Sequence, residues 1–362
     1  MNHCTRPKSF LSLFLRYVLS LLALFLVSAC AQPNFTVIAD RILWPPAPAS
    51  PLLEFKALYY SQYSVLSSQY QGLPTIFEGS EEVLLRRASG VVSDGHGKVF
   101  VSDSVLRNVL IFDFVTKIVR VLDVDNLFGK PMGMDMGPDG RLYVADAGRM
   151  RVLVFGPDGK YLDSIGDESR LLRPMNVAVN SSLGRIYVSD ARKHQIVVFT
   201  LSGKFLFQFG GMGRGDGKLA MPHGLRFDRN GNLFVADMLN SRIQVFDPEG
   251  RFVSSIGDRA PYQLELEYPR DIAFSSDGNL HIIDIKRALL VSCEPNGKLL
   301  LVTGSDGHTT HPLGLSSPTG ISIGSDDTIH IVDQINNRLT LWKYFGTSSE
   351  QALHKEVDLL VK

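Results

Sequence analysis

Disulfide-forming residues and net charge are what this sequence has least of: it holds 3 cysteines in 362 residues, and its 37 basic side chains are balanced by 37 acidic ones. So few cysteines cannot staple a fold of this length, which must hold together by burial and hydrogen bonding. The charge balance argues against nucleic acid as a partner, since a phosphate backbone is met by a clustered surplus of Lys and Arg. There is no c-type haem attachment sequence, and no Ser-His-Asp arrangement can be asserted from spacing. The Gly-rich run GGMGRGDGKLAMP at 210–222 follows a strand without opening a helix. It offers no helix N-terminus to a phosphate and reads as a long connection.

What the sequence does have is one phrase written six times: a strand ending in Asp, a basic residue shortly after, then a second strand. The copies end at Asp103, Asp146, Asp190, Asp237, Asp284 and Asp333. Recurrence every forty-odd residues marks a modular array. The fourth unit divides into MPHGLRFD, GNLFVAD, SRIQVFD and RFVSSIG, four short alternating runs. Period-2 alternation places successive side chains on opposite sheet faces. Between the runs lie turn dipeptides such as Asp139-Gly140, Asn230-Gly231 and Asp277-Gly278, which supply the positive φ of tight hairpins. Four-stranded meanders repeated six times bury their faces by stacking radially, which predicts an all-β, six-bladed β-propeller of four-stranded antiparallel blades over residues 52–345.

The run PHGLRFDRNGNLFVADMLNSRIQVFD at 222–247 resembles an NHL repeat, and the match recurs more weakly over roughly residues 87–345. The resemblance implies a six-bladed propeller. It does not imply an activity, since such propellers serve in enzymes, RNA-binding proteins and sensors. The fifth unit departs from the pattern, with Ile285, Lys286 and Arg287 after its Asp and no Asn-x-Arg.

The amino terminus carries Arg6, Lys8 and Arg16 before the apolar stretch from Tyr17 to Val27, then Ser28, Ala29 and Cys30. This reads as a signal peptide over 1–29. The small residues before Cys30 resemble the bacterial lipobox, which implies lipidation of Cys30 and attachment to a cell-envelope membrane. Ala31 points to the outer membrane of a Gram-negative envelope. With Cys4 removed and Cys30 lipidated, Cys293 has no intramolecular partner and reads as a small core residue. Residues 30–51, rich in proline, read as an extended tether, and 346–362 as a tail with a capping box at Ser348. LLEFKALYY at 52–60 alternates before the first full unit, while the last unit lacks a fourth strand after LTLWKYF. The early strand is therefore expected to complete the last blade and close the ring.

A carboxylate at the end of each second strand can accept backbone N–H bonds and pair with an Arg fork, so Asp103, Asp146, Asp190, Asp237, Asp284 and Asp333, with Arg151, Arg242 and Arg338, read as structural turn locks. The basic residues Arg107, Lys193 and Arg287 are expected to fill the same role in their units. A sixfold ring is not an active site, so function is sought in the asymmetric positions. The innermost strands begin with Ser89, Met132, Met175, His223, Arg270 and Thr319, and the loops after each Asp bear Arg149, Lys193, Arg287 and Asn337. These are expected to ring one mouth of the channel, where ligands bind on this architecture. NHL-type amidating lyases hold zinc with histidines from several blades, whereas here only His223 occupies such a position and zinc needs three or four ligands. Met132, Met175, Met221 and His223 suit a soft metal, or alternatively an apolar rim. No metal, cofactor or catalytic residue is assigned. The expectation is a monomeric, membrane-anchored scaffold that binds a protein partner or ligand. The alternative is a metal-dependent envelope enzyme, lyase-like or lactonase-like, with its site at the channel mouth.

Overall fold

The computed structural model describes residues 36–38, 41–45, 49–59, 85–122, 126–258, 264–304 and 314–346. Residues 1–29, read above as a signal peptide, Cys30, most of the 61–86 segment, and the residues after 346 lie outside them.

Six blades form a closed ring. The chain opens with β1 (Thr36–Ile38), β2 (Arg41–Trp44) and β3 (Leu53–Tyr59). Blade 1 follows with β4 (Ala88–Ser93), β5 (Lys98–Asp103), β6 (Asn108–Asp113) and β7 (Ile118–Val121). Blade 2 holds β8 (Pro131–Met136), β9 (Leu142–Asp146), β10 (Arg151–Phe155) and β11 (Tyr161–Ile165). Blade 3 holds β12 (Pro174–Asn180), β13 (Arg185–Asp190), β14 (Gln195–Thr200) and β15 (Phe205–Gly210). Blade 4 has β16 (Pro222–Phe227), β17 (Leu233–Asp237), β18 (Arg242–Phe246) and β19 (Phe252–Ile256). Blade 5 has β20 (Pro269–Phe274), β21 (Leu280–Asp284), β22 (Leu289–Cys293) and β23 (Leu299–Gly304). Blade 6 takes β24 (Pro318–Ile323), β25 (Thr328–Asp333) and β26 (Arg338–Tyr344) from the carboxyl end and β3 from the amino end.

Closure is as expected: β3 pairs antiparallel with β26, Leu339 opposite Tyr59 and Tyr344 opposite Leu53. The tether expectation needs revision. Residues 36–44 form a hairpin, β1 on β2, that lies outside β3 and widens blade 6 to six strands. Arg41, Ile42 and Leu43 carry the β pattern ahead of the prolines, and Ile42 and Leu43 are buried. Trp44 packs against the body of the ring, its indole N–H donating to the Val302 carbonyl of blade 5 at 3.1 Å.

Burial explains why the strands alternate as they do. Second and third strands sit between neighbouring blades and are apolar on both faces, whereas outer strands such as β11 are half exposed. Six hydrophobic layers result, one between each pair of adjacent blades. Between blades 5 and 6, for example, Ile283 and Leu290 meet Ile329, Ile331 and Trp342, with Phe55 packed edge-on to the Trp342 ring. Cys293 is fully buried in the layer between blades 4 and 5, and burial pushes its thiol up to about 12, which makes it inert at neutral pH.

Every residue of these layers falls between Ile42 and Leu341 or the Trp342–Tyr344 end of β26. A chain beginning at Ala31 therefore retains the whole core and is expected to melt cooperatively. A chain beginning at residue 61 loses β3, bares the β26 edge and is expected to lose cooperativity and aggregate, as read by calorimetry and light scattering.

Candidate functional site

All six strand-terminal aspartates are fully buried, and each gathers about four donors. Asp146 accepts from the backbone N–H groups of Gly129 and Lys130, both at 2.7 Å, and of Gly148 and Arg149, both at 2.9 Å. Asp103, Asp190 and Asp284 repeat the pattern: two amides from the linker entering the blade, two from the loop that follows. Each carboxylate thus fastens the incoming chain to its blade by charge-assisted hydrogen bonds.

The Arg fork is a substitute for this arrangement in two blades only. In blade 4, Asp237 accepts from Arg242 Nε at 2.9 Å, Gln244 Nε2 and Asn240 Nδ2, and only one amide, that of Ala220. In blade 6, Asp333 takes the Asn336 amide and the Ser316 and Ser317 N–H groups, with Arg338 at 3.5 Å. Pairing requires Arg five residues after the Asp, at the start of the third strand. Arg151 stands at that position but turns away: its Nε donates to the Arg149 carbonyl, and Asp146 already has four amides. Lys193 and Arg287 stand only three residues after their Asp, at the loop tip, and cannot fold back. Like Arg149, they donate to linker carbonyls: Arg149 to Asn126 and Leu127, Lys193 to Ser169 and Arg170, and Arg287 to Glu265. Arg107 makes no such bond and enters β6 through a left-handed φ of 55°.

Most of the innermost-strand residues expected to ring the mouth are buried. A β-bulge follows the first residue of every innermost strand, as between Pro131 and Met134 or Pro269 and Asp271, and it re-aims the side chains at that level. Ser89, Met132, Met175, His223 and Thr319 are all buried. Met132 and Met175 pack on Ala191 with Ala147 and Met221, so these methionines form a small apolar cluster between blades 2, 3 and 4. Deeper in the channel, Asn176 of blade 3 donates to Asp271 of blade 5 at 3.0 Å. Glycine makes this contact possible, for a Cβ on Gly224 would lie 2.3 Å from Asp271 Oδ1, and one on Gly133 2.3 Å from the Asn176 carboxamide carbon. Arg226 donates to the Leu225 and Met134 carbonyls, and its charge bears on both Asp271 and Asp135, whose carboxyls are pushed up by burial and partly held down by that guanidinium. None of these groups stood out in the sequence, because each belongs to a different blade and only the ring brings them together.

At the entrance, Arg270 Nη1 lies 2.8 Å from His223 Nε2. The imidazole must accept and is held neutral: burial, then the charges of Arg270 and Arg173, push it well below its ordinary range. Burial also lowers Arg270 to about 10, which leaves it charged at neutral pH. A divalent cation at His223 would face two guanidinium groups, so the residues present do not fit a zinc site. Among the described residues, no group of three His, Cys, Asp and Glu side chains is placed to hold a metal ion. His281 and His330 are core residues; the former bonds Ser292 Oγ at 2.8 Å and meets Tyr344 edge-on. Asn337, oriented to suit its neighbours, donates to the Gln334 and Arg86 carbonyls and links blade 6 to blade 1.

The comparisons agree with this architecture. The NHL repeat profile matches residues 128–155, 171–199 and 219–246, which are blades 2, 3 and 4 from their linkers to their third strands. The chain therefore carries NHL repeats, within a six-bladed propeller. Among solved structures it is similar to a gluconolactonase from Xanthomonas campestris (16% identity, TM-score 0.58, 88% of this chain and 96% of that one). It is also similar to a streptogramin B lyase (12%, 0.53, 71% and 93%) and to a propeller in a nidogen/laminin complex (18%, 0.54, 67% and 86%). At these identities the likeness is one of fold. Comparison with curated proteins finds no significant match.

Asp146→Ala strands four amide donors and is expected to lower unfolding free energy by about 3 kcal/mol, with Asp146→Asn losing less, as read by denaturant titration. Burial also holds His281 and His330 down to about 4. The unfolded chain binds those protons near pH 6.5, so their contribution to stability is complete above pH 6.5 and declines as pH falls toward 4. Replacing both by Asn is expected to flatten the thermal midpoint over that window.

Proposed function

We propose that this chain is an exported binding scaffold of the cell envelope, held at a membrane by a lipid on Cys30, whose Asp-loop face is its recognition surface. The amino-terminal signal and the small residues before Cys30 support the location. The observation that carries the binding role is the orientation of charge: the strand-terminal carboxylates of that face are all buried on backbone amides or on Asn, Gln and Arg side chains of their own blade, while Arg149 and Arg173 are exposed and the side chains of Arg149 and Lys193 meet only neutral carbonyls. Such a face attracts a counter-charged partner. It does not assemble a nucleophile, a base and an oxyanion site around one point. The gluconolactonase-like and lyase-like alternative requires a metal at the channel mouth, where Arg270 and Arg173 oppose it.

Two measurements test this reading. Capture from solubilised envelopes at low salt is expected to retain material, protein or lipid, that Arg149→Glu with Arg173→Glu releases without change in thermal midpoint. Metal analysis of the purified protein decides the alternative: stoichiometric zinc or calcium that is lost in His223→Ala would overturn the scaffold reading.

A further inference from the structure

The two faces of the ring handle charge differently. On the hairpin face, cations sit beside acids of their own turn: Arg141 with Asp139, Lys160 with Asp158, Arg251 with Asp247, and Lys298 with Glu294. On the Asp-loop face of blades 1 to 3, the strand-terminal acids are buried as caps, and Asp167 and Glu168 of the linker into blade 3 are the exposed acids among the described residues. Arg87, Lys130, Arg149, Arg173, Arg192 and Lys193 make no ion pair with a carboxylate among the described residues; the side-chain hydrogen bonds of Arg149 and Lys193 go to neutral carbonyls. A chain with no net charge thus carries a crescent over half of one face in which exposed basic residues outnumber exposed acids among the described residues.

The loop tips on either side of the crescent's centre are aliphatic. Two residues after the aspartate stand Val105 in blade 1, Leu239 in blade 4 and Ile335 in blade 6, exposed by 52%, 42% and 52%. In the blade 1 loop the Asp103 carboxylate holds the Val105 and Leu106 amides, so this tip projects from a fixed backbone. Isolated aliphatic side chains standing out from a basic plane are poorly suited to a protein partner, whose binding energy concentrates in pockets filled by aromatic or Arg anchors; here Met132 and Met175 are buried and offer no such anchor. They are poorly suited to single-stranded nucleic acid, which needs aromatic platforms. They suit the boundary of an anionic bilayer, where aliphatic tips enter the interface and cations meet lipid phosphates.

We propose that the Asp-loop face of blades 6, 1, 2, 3 and 4 docks flat on an anionic membrane surface, through the basic crescent and the tips at Val105, Leu239 and Ile335. The inference rests on the recognition-surface reading above and names its partner. Its test uses the chain from Ala31, which keeps every core layer and lacks the lipid, in co-sedimentation with phosphatidylcholine vesicles with and without 30% phosphatidylglycerol. Binding is expected only with the anionic lipid, weakening at 0.5 M salt. Arg149→Glu, Arg173→Glu and Lys193→Glu together should reduce it at least about thirtyfold, given roughly a kilocalorie per basic residue near such a surface. Val105→Asp with Ile335→Asp should reduce it too. Reversal of Arg141, Lys160 and Lys298 on the other face should leave it unchanged, and thermal midpoints identify any variant that has unfolded. Equal binding to neutral vesicles, no binding, indifference to the crescent reversal, or tighter binding to a single-stranded DNA oligomer overturns the proposal. If envelope capture yields a protein lost on charge reversal while vesicles fail to bind, the recognition surface stands and the membrane does not.

Discussion

The fold depends on one interaction repeated around the ring: a buried carboxylate that takes backbone N–H groups from the linker entering its blade. A propeller blade has no covalent reason to sit at a given angle to the one before it. The inter-blade layers supply adhesion, but apolar contact is non-directional. The aspartate supplies direction, because its bonds reach back 16 to 18 residues to the linker and fix where the innermost strand begins. Removing water from these carboxylates is tolerable only because about four donors replace it, and the blades meet that requirement by two routes, backbone amides or an Asn and Arg pair.

The same requirement shapes the surface. An acid that must point inward cannot neutralise a cation that points outward. Where a loop tip carries Arg or Lys with no second acid nearby, as Arg149 does, the face gains uncompensated charge, whereas Lys286 in blade 5 is paired with Glu267. Zero net charge on the chain therefore coexists with strong polarity across the ring, and the sequence total hides it.

Much of the architecture could be read from the residues alone. The period of the Asp phrase, the turn dipeptides and the orphan strand at 52–60 set the blade number, the strands per blade and the closure by β3. The amino-terminal hairpin escaped notice because three prolines at 45–48 dominate the local pattern, although Arg41 to Trp44 is a β-favouring run. At the candidate site the residues named from the sequence take up different contacts. Arg242 and Arg338 reach their aspartates, whereas Arg151, Lys193 and Arg287 do not, and a one- or two-residue offset in the loop decides which. The bulge in each innermost strand is invisible in a pattern of period 2, so Met132 and Met175 read as rim residues although they are buried against Ala191. Asn176, Asp271, Arg226 and Asp135 carry no local signature at all, since their association is a property of the closed ring.

Closure by β3 has a consequence for the order in which the molecule is made. Strand β3 precedes the first blade and its partner, β26, follows the fifth, so every intervening blade must be synthesised before the two can meet. Contacts of such long sequence separation form slowly. Until then the nascent polypeptide has an unclosed sheet at each end, and each blade already made must wait for the last to become part of a ring.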